Sequence, residues 1–175
     1  MNKIIKIIVF LGFLFSFTLF ADDSSIPKVQ IKDLYGKSID ASTLNNEGKP
    51  FVIDFWATWC NPCIRELTNI NKVYDKWQQE TGVKIYAVSI DDSRTAKKVS
   101  QFVKGRGWKF DVFLDENSDL KRAMNAGPPP QTYLFDGNGK LVWQHSGYAE
   151  GNEEKLYNKI KELLAEPKQE IDENK

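Results

Sequence analysis

Apolar residues are distributed unevenly along this chain, and their spacing changes from one stretch to the next. Ile7–Phe20 is apolar apart from Gly12, Ser16 and Thr18. Beyond it, Val29–Leu34 fits a short strand ending in a Tyr35-Gly36-Lys37 turn. Phe51–Ala57 is an almost unbroken apolar run, long enough for a central strand buried on both faces. The period then shifts to that of a helix. Ile64, Leu67, Ile70, Val73, Tyr74 and Trp77 recur at helical spacing across Pro62–Gln79. Pro62 sits in the first turn, where a missing amide proton costs nothing, and Gly82 ends the segment.

Further along, Val83–Ile90 reads as a strand, Thr95–Lys104 as a helix and Trp108–Leu114 as another strand, an alternation that predicts an α/β architecture. The acidic loop Asp115–Asp119 and a short helical turn through Met124 lead into Gly127-Pro128-Pro129-Pro130. Gln131–Phe135 and Lys140–His145 are strands joined by Asp136-Gly137-Asn138-Gly139, a strong hairpin signal. Glu153–Leu164 closes the domain as an amphipathic helix. Glu166–Lys175 holds four acids, two bases, one proline and a single large apolar residue, which predicts a disordered tail with little to bury.

Composition adds limits to this outline. With 175 residues, 41% of them hydrophobic and 27% charged, the chain has room for one globular domain, taken as residues 22–165, plus short extras. Lys3 and Lys6 precede the first apolar run, and Leu19-Phe20-Ala21 offers a small residue for cleavage, so residues 1–21 read as a secretory signal peptide. The alternative is an uncleaved anchor helix over Ile4–Ala21. That stretch is 18 residues long and interrupted by Lys6, whereas spanning needs about 20. A lipid anchor on cysteine is excluded, because no Cys occurs before position 60. Formal charge is zero, and a mature part without Lys3 and Lys6 is near −2, with 22 basic and 24 acidic residues. A nearly neutral chain with no basic stripe is a poor nucleic-acid binder, and no nucleic-acid partner is expected.

Export determines how Cys60 and Cys63 are read, since an oxidising compartment lets disulfides persist. Three residues apart on a forming helix, their α-carbons are expected roughly 5 Å from each other, within the range of about 4.4–6.8 Å that a disulfide tolerates. A purely structural staple is the plain alternative. Closing a four-residue loop removes only roughly 2 kcal/mol of unfolded-state entropy, less than a long-range crosslink removes. Chemistry gives the spacing a stronger rationale, because Cys60 falls where a buried strand hands over to a helix N-terminus. Unpaired amide protons and the positive end of the helix dipole favour a thiolate there. Cys60 is then the attacking sulfur, and Cys63, one turn further in, resolves the mixed disulfide.

Asp54-Phe55-Trp56-Ala57-Thr58-Trp59-Cys60-Asn61-Pro62-Cys63 resembles the active-site strand and helix of thioredoxin. The leader, Asp33-Leu34-Tyr35-Gly36-Lys37 and the Asp136–Val142 hairpin extend the resemblance to the exported TlpA-like and ResA-like branch, over roughly residues 27–165. It implies a thioredoxin fold: a central mixed β-sheet flanked by helices on both faces, with an N-terminal extension and an inserted strand and helix. It also implies that Pro130 is a cis-proline facing the disulfide and exposing the preceding backbone to an extended substrate. That preceding residue is Pro129, which has no amide proton to give. Asp54, whose burial would raise its carboxyl pKa, resembles the proton acceptor for the buried cysteine; the alternative is an acid satisfied by a nearby lysine. Glu66 matches an acid near the active site in the ResA-like branch, or else is a first-turn glutamate that complements the helix dipole and faces water. Trp56 is expected in the core, and Trp59 resembles the exposed aromatic that shields the sulfur or touches substrate.

Rival functions remain in view. His145, the only histidine, is expected to be a surface or packing residue, although two cysteines and a histidine could serve as soft ligands in a copper-binding assembly protein. Such proteins resemble a Cys-X-X-X-Cys pattern, which the spacing here does not match. A thiol peroxidase needs a lone peroxidatic cysteine backed by threonine and arginine, with a proline upstream in the same loop; Thr58 is present and that proline is not. A non-catalytic module that merely keeps the fold is hard to square with intact Cys60 and Cys63. Structural zinc is excluded, since two Cys and one His cannot supply four Cys/His ligands. The expected function is a cofactor-free, monomeric, periplasmic or outer-face thiol-disulfide oxidoreductase, and the resemblance alone implies that it works as a disulfide reductase. By resemblance, its partners are disulfide-bearing exported proteins, with apocytochrome c among the candidates, and a membrane thiol carrier as electron donor.

Overall fold

The computed structural model describes residues 25–165; the expected signal peptide at 1–21 and the expected tail at 166–175 lie outside them. In chain order the elements are β1 (Gln30–Asp33), β2 (Ser38–Asp40), a 3-10 turn at Ala41–Thr43, β3 (Phe51–Trp56) and α1 (Asn61–Thr81). β4 (Lys84–Ser89), α2 (Ala96–Arg106), β5 (Asp111–Leu114) and α3 (Asp119–Ala123) follow, then β6 (Gln131–Phe135), β7 (Leu141–Ser146) and α4 (Asn152–Ala165). No helix among the described residues is long and apolar enough to cross a membrane.

The strands form one sheet in the order β2-β1-β5-β4-β3-β6-β7. Helical crossovers make β3, β4 and β5 parallel neighbours, whereas β6 runs antiparallel to β3 and the β6–β7 hairpin continues antiparallel outward. This is the expected central mixed sheet. Because β3 is central, all six of its residues are buried, and alternation sends them to two different cores. Val52 and Trp56 pack with Leu67, Ile70, Tyr74 and Trp77 of α1, Val99 of α2, and Leu156 and Ile160 of α4. Phe51, Ile53 and Phe55 pack on the opposite face with Leu120 of α3, Ile26 and Ala41. Helices therefore cover both faces, and Asp54, between Val52 and Trp56, points under α1.

α1 carries the site, and its length follows from its ends. It begins immediately after Cys60 and stops at Gly82, whose φ of +67° provides the left-handed C-cap that a residue with a side chain adopts only with strain. Two features differ from the sequence expectation. β2 and the 3-10 turn were not predicted, because a three-residue edge strand with Ile39 as its one apolar residue shows no periodicity to read. The expected strand from Trp108 starts only at Asp111. Trp108 instead donates its N–H to the Val103 carbonyl behind α2 and packs edge-on against Trp56, with ring centroids 4.9 Å apart.

Candidate active site

Phe51–Trp56 delivers the chain to the C-terminal edge of the sheet, and Ala57-Thr58-Trp59 turns it into α1. A buried carboxylate holds that turn. Asp91 accepts hydrogen bonds from the Thr58 amide at 2.8 Å, the Thr58 hydroxyl at 2.5 Å and the Ser89 hydroxyl at 2.8 Å. Nothing in the local sequence pattern singled out Asp91, which lies 33 residues beyond Thr58 and reaches it only because β3 and β4 are parallel neighbours.

Cys60 is the N-cap of α1. Its sulfur accepts a hydrogen bond from the Cys63 amide at 3.3 Å, occupying a site that a Ser or Asp oxygen commonly fills. Cys60 and Cys63 are joined as a disulfide with α-carbons 5.4 Å apart. The two sulfurs are not equivalent: Cys63 is completely buried, while Cys60 retains 5% exposure beside Trp59, which is 60% exposed. Across from them, the Pro129 carbonyl oxygen lies 3.7 Å from the Cys60 sulfur, and the Pro129–Pro130 peptide is cis. This loop is braced on both sides. Gly147 donates its amide to the Pro130 carbonyl at 2.9 Å, and Gln131 donates to the Pro128 carbonyl at 3.0 Å while accepting from the Ser146 hydroxyl.

Two carboxyl groups are buried on the side of the sheet that α1 covers. Asp54 is 1% exposed and Glu66 3% exposed, and among the described residues no lysine pairs with either. Glu66 thus does not face water. α1 starts at Asn61, so Glu66 falls in its second turn, on the buried side that also carries Cys63, Leu67 and Ile70. Both acids meet one hydroxyl, with Thr132 Oγ1 3.0 Å from Asp54 Oδ2 and 3.2 Å from Glu66 Oε1. Thr132 is directly across from Asp54 in the β3–β6 register, a pairing invisible from either segment alone. The remaining oxygens, Asp54 Oδ1 and Glu66 Oε2, have no partner. Burial disfavours the charged forms and pushes Asp54 up to about 7, against a smaller lowering by the Thr132 bond. Glu66 is pushed up to about 9 by burial first and by the nearby Asp54 charge second.

The other candidates are accounted for by packing. Trp56 is fully buried against Phe102 and Trp108. His145 stacks on Trp143 and places Nε2 2.9 Å from the Asn152 amide, away from the cysteine pair in hydrogen-bonding terms.

A mixed sheet presenting a disulfide-forming Cys-X-X-Cys pair at a helix N-terminus, opposite a proline loop, defines a thioredoxin-fold thiol-disulfide oxidoreductase. Comparison with known proteins agrees. Residues 23–144 match the AhpC/TSA family. The thiol-disulfide oxidoreductase ResA of Bacillus thuringiensis is 36% identical over 137 residues, covering 78% of this chain and 75% of that one. Among solved structures, an uncharacterized thioredoxin-like protein from Porphyromonas gingivalis is 48% identical with a TM-score of 0.72, over 79% of this chain and 91% of that one. A putative thiol:disulfide interchange protein DsbE from Chlorobium tepidum is 26% identical with a TM-score of 0.69, over 81% and 96% respectively. The chain belongs to the AhpC/TSA family, with ResA-type oxidoreductases among its relatives.

The raised carboxyls make stability depend on pH. Glu66 keeps its proton in the folded state up to about 9, while the unfolded chain loses it near 4.5. Between those values the folded state binds more protons, so stability falls as pH rises. Replacing Glu66 by Gln should remove much of that fall. Thermal unfolding of the oxidised protein at pH 8 should show Glu66→Gln melting at least about 3 °C above the parent, the shift that roughly 1 kcal/mol gives a domain of this size. An unchanged or lower melting temperature at pH 8 contradicts the buried, protonated assignment.

Proposed function

We propose that this protein is an exported disulfide reductase in which Cys60 attacks and Cys63 resolves. One observation carries the reading: of the two paired cysteines, Cys60 keeps 5% exposure and Cys63 none, and Cys60 is the cap of α1, its sulfur accepting the Cys63 amide proton. With the pair reduced, that amide and the helix dipole stabilise a thiolate on Cys60. The thiolate attacks one sulfur of a substrate disulfide. A Cys60–substrate bond forms, the substrate S–S bond breaks, and the departing thiolate takes a proton from solvent. Cys63 then loses its proton to Asp54 and attacks Cys60, forming the Cys60–Cys63 disulfide and releasing the second substrate thiol. The substrate has gained two electrons and the protein has lost two. A membrane dithiol carrier restores them by the same exchange in reverse.

The positively charged start and apolar run of residues 1–21 support export, to the periplasm or the outer face of the membrane, with the leader cleaved or kept as an anchor. Resemblance to ResA-like proteins supports the reductive direction and makes apocytochrome c, with its paired haem-binding cysteines, one candidate substrate. Trp59 offers an exposed aromatic surface beside the attacking sulfur. The Pro129 carbonyl, facing Cys60, is placed to accept a hydrogen bond from an extended substrate backbone. A peroxidase mechanism is less well supported, because the Thr58 hydroxyl is committed to Asp91 and the two cysteines pair with each other.

Two outcomes are expected. In the Cys63→Ser variant, substrates should accumulate as mixed disulfides on Cys60, detectable by mass spectrometry of adducts isolated without reductant. Adducts on no cysteine, together with full insulin reduction by Cys60→Ser, would overturn the assignment. Because Pro129 has no N–H, substrate pairs with its carbonyl alone. Pro129→Thr restores a donor worth about 0.5–1.5 kcal/mol, so KM for a peptide disulfide should fall about threefold to tenfold with kcat little changed. An unchanged or higher KM removes the strand-pairing role.

A further inference from the structure

Thr132 was not among the residues that the sequence pattern marked, yet it is the one polar group that touches both buried acids. A hydroxyl carries a single hydrogen. It cannot make a well-aligned bond to both carboxylates at once, so its two contacts, at 3.0 and 3.2 Å, are best satisfied when one of them is made by a hydrogen belonging to a carboxyl. Among the described residues neither acid has another hydrogen-bond partner, nor a lysine or an arginine to neutralise it, and two ionised carboxylates in a dry pocket would repel strongly.

We propose that Thr132 is a proton relay, joining Asp54 and Glu66 into one carboxyl–hydroxyl–carboxyl unit that holds a single proton and passes it between the acids. In one arrangement Glu66 donates to Thr132 Oγ1 and Thr132 donates to Asp54. In the other the direction is reversed. Passage from the first to the second breaks the Glu66 O–H bond and the Thr132 O–H bond, forms a new O–H bond on Thr132 with the hydrogen from Glu66, and forms one on Asp54 with the hydrogen that Thr132 gives up. One negative charge moves from Asp54 to Glu66, and nothing is oxidised or reduced. The direction of the raised pKa values, Glu66 above Asp54, favours the first arrangement at rest.

Such a unit suits the chemistry assigned to Cys63, and in this respect the inference rests on that reading. Cys63 lies three residues before Glu66 on the same buried side of α1. A proton accepted by Asp54 can be matched by one leaving Glu66, so the pocket ends with the single negative charge it began with. Other polar groups act on the pocket without bonding to it. Glu153 at the start of α4 raises Glu66 further, and it accepts from the Tyr148 hydroxyl, which in turn accepts from Asn69 of α1. From β7, His145 sits opposite Thr132 in the register, engaged with Asn152. Thr132 acts through the two acids and is a positioning residue.

Infrared spectroscopy of the oxidised protein tests the relay without any thiol chemistry. Near pH 8 the parent should retain one protonated-carboxyl C=O band, absent from Glu66→Gln. In Thr132→Val, which keeps the volume and removes the hydroxyl, the band should shift in frequency and its pH midpoint should move. Thr132→Ser should return both to the parent values. Stopped-flow resolution of a preformed Cys60 mixed disulfide should be slowed about tenfold by Thr132→Val and rescued by Thr132→Ser, a part of the roughly 10²–10⁴ that positioned acid–base groups contribute. A protein with no protonated carboxyl near pH 8, or a band indifferent to Thr132→Val, overturns the relay. A relay band that behaves as expected while resolution does not depend on Thr132 leaves the proton unit standing and overturns its connection to Cys63.

Discussion

The handover of the chain from β3 to α1 is the constraint on which the rest depends. A strand buried on both faces fixes where the helix must begin, and the helix beginning leaves amide protons without partners. Here a sulfur, not an oxygen, takes one of them. The bond that caps the helix also favours negative charge on that sulfur once the disulfide is reduced, so in the proposed mechanism one atom meets a local folding requirement and serves as the reactive thiolate. The turn has to be held for this to work, and Asp91 holds it from the neighbouring strand through Thr58.

The second cost in the site is the pair of buried acids. Placed under α1 and away from lysine or arginine, Asp54 and Glu66 disfavour ionisation, and a fold selected for stability alone would have filled their places with apolar groups. Their place under the helix that carries the redox pair suits the proton transfer proposed for them. Thr132 reduces the expense, since it satisfies one oxygen of each acid.

Much of this was legible in the linear chain because it rests on local patterns. Phe51–Ala57 as a fully buried strand, the helix after Pro62, the Asp136–Gly139 turn and the pairing distance of Cys60 and Cys63 all follow from spacing and residue type. What escaped is non-local. Thr132 and Asp91 matter only through sheet register, which brings β6 and β4 beside β3, and no periodicity within either strand reveals it. Glu66 was ambiguous for a related reason. Whether it faced water or the core depended on a helix start at Asn61 and on which side α1 lays against the sheet. The late start of β5 likewise reflects a tertiary choice, Trp108 packing against Trp56 in place of extending the strand.

The central claim is that the cap position makes Cys60, and not Cys63, the reactive thiolate. It is tested most directly by alkylating the fully reduced protein with iodoacetamide across pH and locating the label by mass spectrometry. The account predicts that Cys60 is modified first, with a midpoint clearly below the free-thiol value of about 8.5, while Cys63 stays unlabelled until far higher pH. Initial labelling at Cys63, or a Cys60 midpoint at or above the free-thiol value, would contradict it.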